Sequence, residues 1–162
     1  MIEPRACRER LNALLHAEYA CAGQLVTLLE TETAALQGRD IDALETLAAD
    51  KQALMQHFES LEAQRQALLE QAGFGGSPAD VEGCIAWCDG SGQLARGWHL
   101  LLERIRRSQH QNRCNGAILE ASRRHAQQAL AVLRGQAPHG DLYHANGCTT
   151  TDNTRGRSIA KA

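Results

Sequence analysis

The residues of this sequence best suited to chemistry are cysteines and histidines at helical spacing. Cys84 and Cys88 are four residues apart, and His110 and Cys114 repeat that spacing. Thiolates and imidazoles are the ligands that Zn²⁺ prefers in proteins. A helix rises about 1.5 Å per residue, so the helix that carries the second pair would hold it about 20 Å from the first. We therefore predict no metal ion and no cofactor, and we interpret the cysteines as reduced, structural thiols.

A histidine on a helix surface could instead accept a phosphoryl group, and His57 is the best placed for that chemistry. Phosphotransfer histidines are usually followed at helical spacing by a lysine and a small residue, whereas Glu59, Leu61 and Glu62 follow His57. The sequence also shows no nucleophile–base arrangement, no glycine loop placed to bind phosphate and no pair of facing carboxylates. We interpret His57 as a surface residue and predict that the chain is not an enzyme.

Arginines are concentrated on one predicted helix in the second half of the chain. They are Arg104, Arg106, Arg107, Arg113, Arg123 and Arg124. Such a strip could bind the phosphates of RNA, and that binding would weaken steeply with salt. No aromatic side chain is interleaved for base stacking. Pairing with acidic residues of the preceding helices is therefore favoured, we expect no nucleic-acid partner, and an RNA-binding regulator is the least favoured alternative.

The elements that position these residues are predicted to be helices. The chain has 162 residues, with 21 leucines and 26 alanines against 6 isoleucines and 3 valines, and 4% of its residues are aromatic. Strands favour β-branched and aromatic side chains, so this composition predicts an all-α fold. The net charge is −2, and neither a signal peptide nor an apolar run of about 18 residues is visible. We expect a cytoplasmic protein without membrane insertion.

The first half of the chain predicts an elongated antiparallel helical hairpin. Apolar residues recur every three or four positions over residues 4–37, which is typical of one face of a helix. A second helix with a coiled-coil heptad pattern is expected over residues 40–72. Gly38 is predicted to end the first helix in the left-handed conformation, and Asp40 or Asp42 to cap the second. Because the connection is so short, the two helices must run antiparallel.

Two charged pairs are expected to set the register of this hairpin. Glu18 and Glu32 lie in the apolar stripe of the first helix, 14 residues apart. Arg65 and Lys51 lie in the stripe of the second helix, also 14 residues apart. One antiparallel register therefore pairs Glu18 with Arg65. The same register pairs Glu32 with Lys51, and such pairs fix register more than they add stability. Four charges that only flank the seam are the alternative.

The second half of the chain predicts a short helix, a third long helix and a flexible tail. The short helix is expected over residues 78–88, after the hydroxyl cap of Ser77. The third long helix is expected over residues 93–134. Residues 135–162 carry few apolar side chains, too few to offset the entropy cost of ordering them. We therefore predict a helical domain over residues 1–134 and a disordered C-terminal tail.

The seam of the third helix turns polar at its centre. Asn112, Asn115 and Gly116 stand in a seam that is otherwise built from leucine, tryptophan and isoleucine. A buried asparagine needs a hydrogen-bond partner and therefore selects one alignment of the helices. An incompletely filled groove that accepts a partner helix, with the amides contacting its polar groups, explains the same pattern. The sequence alone leaves both interpretations open.

Several short segments form a pattern that extends over nearly the whole chain. The first half contributes Glu32, Ala35, Leu36, Asp40, Ala43, Leu44, Leu47 and Lys51. The second half contributes Trp98, Asn112, Asn115, Gly116, Leu130, Leu133, Arg134, Gly135, Leu142, Tyr143, Asn146, Gly147, Arg157, Ile159, Ala160, Lys161 and Ala162. Together these segments resemble the FlgN family, the flagellar type III export chaperones for the hook–filament junction proteins. The most specific part of the resemblance is the Asn-x-x-Asn-Gly element followed by a tyrosine-bearing tail. The large number of cysteines departs from the family pattern.

The resemblance implies a cytoplasmic chaperone that binds the C-terminal helical segments of hook-associated proteins, prevents their premature assembly and delivers them to the export gate. By analogy, client contacts are expected on the third long helix, at Asn112, Asn115, Leu119, Ala126, Leu130 and Leu133. In similar chaperones a C-terminal tyrosine contacts the cytoplasmic domain of the export gate protein, and Tyr143 is the candidate here; packing against its own bundle is the alternative. A structural coiled-coil oligomer remains the alternative function.

Overall fold

The computed structural model describes residues 2–135, which form four helices. They are α1 (Pro4–Gly38), α2 (Ile41–Gln71), α3 (Pro78–Cys88) and α4 (Gln93–Leu133). No strand occurs within residues 2–135, and the all-α prediction is confirmed. Each helix boundary lies within one residue of the position expected from the sequence pattern. Nearly all of the predicted tail, including Tyr143, lies outside the described residues.

The chain divides into two compact units, Met1–Ala121 and Ser122–Ala162. The first unit contains α1, α2, α3 and the larger part of α4. The described part of the second unit is residues 122–135, in which α4 ends at Leu133. The functional boundary expected after residue 134 stays a prediction.

The end of α1 differs from the sequence expectation by one residue. Gly38 is still helical, and Arg39 adopts the left-handed conformation with φ 55°. The Asp40 N–H donates to the Ala35 carbonyl at 3.0 Å, and the Arg39 N–H lies 3.4 Å from the Leu36 carbonyl. These are the two bonds of a Schellman motif, which fixes the left-handed residue at Arg39. The prediction that placed this conformation at Gly38 is therefore wrong.

Side-chain caps begin α2 and α3. The Asp40 carboxylate accepts from the Ala43 N–H at 3.0 Å, which selects Asp40 over Asp42 as the cap of α2. Ser77 caps α3, as predicted, because its hydroxyl accepts from the Asp80 N–H at 3.2 Å. The Asp80 carboxylate accepts from the Ser77 N–H at 3.0 Å in return, which completes a capping box.

Helices α1 and α2 form the predicted antiparallel hairpin. Near the start of α1, Arg10 donates to the side chain of Gln71 at the end of α2, at 3.2 Å. Further along α1, the Cys21 thiol lies 3.6 Å from the Leu54 carbonyl, closer to the start of α2. Residue numbers therefore rise along one helix as they fall along the other.

Within the first unit, α4 runs parallel to α1. Arg104 Nη1 lies 3.4 Å from the Tyr19 carbonyl, and Arg107 Nη2 lies 2.6 Å from Glu30 Oε1. Residue numbers rise together along these two helices. This direction follows because the chain reverses twice, once between α1 and α2 and once between α2 and α4.

The main hydrophobic core of the first unit lies where all four helices meet. Its buried members include Leu11, Leu15, Leu68, Leu69, Val81, Ile85, Leu94, Trp98 and Leu101. Removing these apolar side chains from water is the main favourable contribution to folding. None of the helices in residues 2–135 combines the length and apolar character that crossing a membrane requires.

Candidate functional site

The Glu18 layer, formed by Glu18, Arg65 and Trp98, crosses the first unit at buried positions. Arg65 Nε lies 2.9 and 3.2 Å from the two carboxylate oxygens of Glu18, which confirms the first predicted ion pair. Glu18 is fully buried, and the Arg65 side chain is 12% exposed. The Arg65 guanidinium carbon also lies 5.1 Å from the ring centroid of Trp98. One cation therefore serves both a carboxylate and an aromatic ring.

Burial governs the electrostatics of the Glu18 layer. Desolvation raises the pKa of the Glu18 carboxyl above its ordinary value, while the charge and hydrogen bonds of Arg65 act in the opposite direction. The negative charge of Glu62 adds to the upward shift in pKa. Burial of Trp98 adds a further free-energy cost of folding, because its Nε1–H has no hydrogen-bond partner among the described residues. The layer therefore depends on the Glu18–Arg65 pair staying complete.

The Glu32 layer is formed by Glu32, Lys51, Asn112 and Asn115, two heptads further along the hairpin. Lys51 Nζ lies 2.7 Å from Glu32 Oε1, which confirms the second predicted ion pair. Lys51 Nζ also donates to Asn112 Oδ1 at 3.3 Å. Asn115 Nδ2 donates to Glu32 Oε2 at 2.7 Å and to the Leu29 carbonyl at 2.9 Å. The Glu32 carboxylate thus receives hydrogen bonds from both α2 and α4.

Two side chains that the sequence analysis missed extend the Glu32 layer. Gln111 Nε2 donates to Thr33 Oγ1 at 2.8 Å and lies 3.3 Å from Asn115 Oδ1. Thr33 Oγ1 lies 2.7 Å from the same amide oxygen, close enough to donate its proton there. Their signal in the sequence is weak, because threonine and glutamine are ordinary on a solvated helix face. The only indication in the sequence is that Thr33 directly follows Glu32 and Gln111 directly precedes Asn112.

The geometry of the Glu32 layer favours the register interpretation for Asn115. This residue is 3% exposed, and both its amide nitrogen and its amide oxygen have partners within the first unit. Asn112 is exposed and accepts one hydrogen bond, from Lys51. Binding of a client by these two residues stays a prediction. At Asn115 it requires α4 to move away from α1.

The apolar residues expected to contact a client are exposed. In the first unit, Leu119 is 56% exposed. In the second unit, Ala126, Leu130 and Leu133 follow one another at steps of four and three, so they share one face of α4. We name these three residues the α4 end face; Leu130 is 50% exposed and Leu133 82% exposed. Val132, which the sequence analysis did not single out, is 59% exposed beside them.

A second surface with exposed apolar residues, not expected from the sequence, lies in the first unit. It is an open groove lined by α1, α2 and α4, with Val26, Leu54 and Leu100 among its residues. Leu100 is 51% exposed. Charged residues, including Glu30, Arg104 and Arg107, also line the groove, so it is a competing position for an amphipathic partner.

Two of the arginines in the predicted strip contact α1. The Arg104 guanidinium carbon lies 3.7 Å from the ring centroid of Tyr19, and Arg107 forms an ion pair with Glu30 at 2.6 Å. Stacking and ion pairing within the protein thus engage both side chains. For these two residues, the contacts support pairing within the first unit over a nucleic-acid surface.

A match to a known protein family extends over most of the chain. Residues 1–151 match the FlgN protein family. The chain belongs to the FlgN family. This FlgN-family chain is also similar to the crystal structure of a candidate flagella synthesis protein FlgN from Pseudomonas aeruginosa, with 28% identity and a TM-score of 0.62. The similarity covers 68% of this chain and 86% of that chain. No curated protein matches the chain.

The FlgN match includes every residue expected to contact a client, and it includes Tyr143. The FlgN family is a family of flagellar export chaperones rather than of enzymes. Family membership therefore supports the chaperone class and the flagellar context, while it assigns no role to any single residue.

This FlgN-family chain also contains a cysteine cluster that the sequence analysis identified only in part. Cys7 Sγ lies 3.7 Å from Cys84 Sγ, and the Sγ atoms of Cys7, Cys84 and Cys88 all lie within 4.8 Å of one another. His110 and Cys114 contact each other at 3.7 Å and are not part of this cluster. The sequence analysis did not identify Cys7, and the only indication in the sequence is its position in the apolar stripe of α1.

Proposed function

We propose that this FlgN-family protein is a cytoplasmic flagellar export chaperone. It binds the C-terminal helical segments of hook-associated proteins, prevents their premature assembly and delivers them to the type III export gate. The observation that carries this proposal is the family match over residues 1–151. The helical domain is proposed to be residues 1–134, with residues 135–162 as a tail that reaches the gate.

The α4 end face offers a place where an amphipathic client helix could bury its apolar stripe. Within the second unit, Ala126, Leu130 and Leu133 are all exposed, and their spacing matches the i, i+4, i+7 anchors by which helices bind one another. Ordering a client segment on binding costs about 2–5 kcal/mol of the gross contact energy. The resulting affinity is moderate, which suits a chaperone that must release its client.

Leu119 and the two asparagines are proposed as separate client contacts with different requirements. Leu119 is exposed and needs no rearrangement of the protein. Asn112 would have to exchange its hydrogen bond with Lys51 for one with the client. Asn115 would have to leave Glu32 and the Leu29 carbonyl, so its contact depends on separation of α4 from the hairpin.

The client site is tested by the double variant Leu130→Asp/Leu133→Asp of the full chain. The probe is a synthetic peptide of the C-terminal helical segment of a hook-associated protein, and the measurement is isothermal titration calorimetry. Two aspartates on the α4 end face would remove apolar contact area and add buried charge, so we expect affinity to fall at least about tenfold. Far-UV circular dichroism checks that the variant is still helical.

A matched control places the same two changes at exposed apolar residues of α2. Ile41 is 69% exposed and Met55 46% exposed, and the variant Ile41→Asp/Met55→Asp should bind the peptide as the wild type does. Leu100→Asp tests the groove of the first unit. If Leu100→Asp abolishes binding and the α4 end face variant binds normally, the proposed site is wrong. If no variant and no wild-type protein binds the peptide, the proposed function is wrong.

The contact with the export gate is assigned to Tyr143, which lies outside the described residues. An aromatic side chain in a tail is suited to a short linear motif that inserts into a pocket. Tyr143→Ala should weaken binding to the cytoplasmic domain of the gate protein without changing the affinity for the client peptide. Unchanged gate binding and unchanged secretion of junction proteins would contradict this role.

A further inference from the structure

Three cysteines from two helices converge in the core of the first unit. Cys7 lies on α1, and Cys84 and Cys88 lie one turn apart on α3. Cys7 and Cys84 are fully buried, whereas Cys88 is partly exposed. Chain positions about 80 residues apart therefore contribute thiols to one place. Cys21 and Cys114, which lie elsewhere, belong to no such cluster within the described residues.

The distances between the sulfur atoms fit metal coordination. A metal–thiolate bond of about 2.3 Å places neighbouring sulfurs about 3.8 Å apart in a tetrahedral site and about 4.0 Å apart in a trigonal one. The Cys7 and Cys84 sulfurs are 3.7 Å apart, and no pair in the cluster is further apart than 4.8 Å. The three sulfurs therefore need only small side-chain adjustments to reach the bonding distance of one ion.

We propose that Cys7, Cys84 and Cys88 form a site for a single thiophilic metal ion, of the chemical class that includes Zn²⁺ and Cu⁺. Soft thiolate ligands select these ions over Mg²⁺ and Ca²⁺, which prefer oxygen. Cu⁺ is satisfied by three sulfurs in a plane, while Zn²⁺ needs a fourth ligand in addition to the three cysteines. Neither ion changes its oxidation state on binding.

Binding replaces S–H bonds with metal–sulfur bonds. Up to three protons leave the thiols and pass to the buffer as the metal–sulfur bonds form. Metal binding at the three cysteines therefore depends on pH and is weaker in acid.

The bound ion would connect the start of α1 to α3. In the metal-free protein this junction is held by core packing and by the Arg8–Asp89 ion pair, in which the two atoms are 3.6 Å apart. A ligand that binds the native state and not the unfolded chain raises stability by mass action. The ion therefore acts as a structural clamp, and this role is independent of client binding.

The test uses the full-length protein, reduced with a phosphine and freed of metal. Zn²⁺ and Cu⁺ are titrated separately in competition with a chromophoric chelator. We expect one ion to bind per chain, with release of protons to the buffer and an increase in Tm. A stronger response to one ion identifies which member of the class the site prefers.

Single-cysteine variants provide the controls. Cys88→Ser removes the most exposed ligand and should weaken binding by more than the roughly 10–100-fold that loss of a partner outside the coordination sphere costs. Cys7→Ala should do the same. Cys114→Ser and Cys21→Ala remove thiols outside the cluster and should leave affinity unchanged. Circular dichroism checks the fold of each variant before titration.

Three outcomes would overturn the proposal. The first is absence of stoichiometric binding by either ion to the folded, reduced wild-type protein. The second is normal binding by the Cys88→Ser variant. The third is loss of binding by Cys114→Ser alone, which would place the ion with His110 instead.

Discussion

The Glu18 layer and the Glu32 layer contain the same kind of ion pair at different depths. Glu18 is fully buried beside an arginine that contacts both of its oxygens. The Glu32 side chain is 13% exposed and its lysine 25% exposed, and the neutral amide of Asn115 satisfies its second oxygen. In the deeper pair the fully buried Glu18 carboxylate is compensated by Arg65, which also lies 3.6 Å from the half-exposed Glu62 carboxylate, whereas the shallower pair belongs to a wider network that includes neutral amides. The depth of an ion pair therefore decides how much the stability of the fold depends on that pair alone.

The largest expected effect comes from breaking the deeper pair. Glu18→Ala leaves the buried Arg65 guanidinium with only the half-exposed Glu62 carboxylate, 3.6 Å away. The change should lower the free energy of unfolding by about 3–5 kcal/mol. The double variant Glu18→Leu/Arg65→Met replaces the pair with apolar side chains and should recover most of that loss. Urea denaturation followed by circular dichroism measures both. If Glu18→Ala lowers the free energy of unfolding by less than about 1 kcal/mol, water must reach this layer.

An intermediate effect is expected from the buried amide of the Glu32 layer. Asn115→Ala removes the amide donor of Glu32 Oε2, while the Leu29 carbonyl keeps the Thr33 hydroxyl as a donor at 2.9 Å. The loss should lower the free energy of unfolding by about 1–3 kcal/mol. Asn112→Ala is the matched control, because this asparagine is exposed, and its effect should stay within about 0.5 kcal/mol. Equal effects of the two changes would contradict the register role of Asn115.

A smaller effect is expected for the shallower ion pair itself. A double-mutant cycle with Glu32→Ala and Lys51→Ala should give a coupling free energy of about 1 kcal/mol. The exposed Glu30–Arg107 pair, whose side chains are 50% and 69% exposed, is the comparison and should give less than about 0.5 kcal/mol. No coupling between Glu32 and Lys51 in chemical denaturation would remove this pair from the forces that set register.

The most selective test is the pH dependence of the deeper layer. The pKa of Glu18 is raised above its ordinary value of 4.5, so the native state holds a proton at this site more tightly than the unfolded chain does. The contribution of Glu18 to stability should therefore increase as pH falls through the native pKa towards 4.5, and decrease as pH rises. Subtracting the stability curve of Glu18→Gln isolates this residue, and a difference that is flat between pH 4 and pH 8, within about 0.3 kcal/mol, would contradict the raised pKa.

The sequence was sufficient to predict the helices and the hairpin register, because both follow from local spacing. Apolar periodicity located the helices, and equal separations of Glu18 from Glu32 and of Lys51 from Arg65 gave the register. The position of α4 depends on how α3 directs the chain, which no periodicity encodes. The side-chain contacts between α4 and α1 were therefore missed, including that of Gln111 with Thr33.

The same reason explains the cysteines. Cys84 and Cys88 are recognisable as a pair from their spacing on one helix. Cys7 joins them only because α3 packs against the start of α1, and that contact cannot be read from spacing. The left-handed Arg39 was missed for a different reason, since glycine is the usual residue at such a position and Gly38 stands beside it.

The two tryptophans differ in solvent exposure, and this gives the protein an intrinsic optical reporter. Trp98, on α4, is 4% exposed beside Arg65, whereas Trp87, on α3, is 40% exposed. In a Trp87→Phe background, the fluorescence spectrum would report on Trp98 alone. A shift of its emission to longer wavelength on addition of the client peptide would signal that the indole has become hydrated. Without any external label, the emission maximum can thus distinguish a client that lies on an intact bundle from one that opens it.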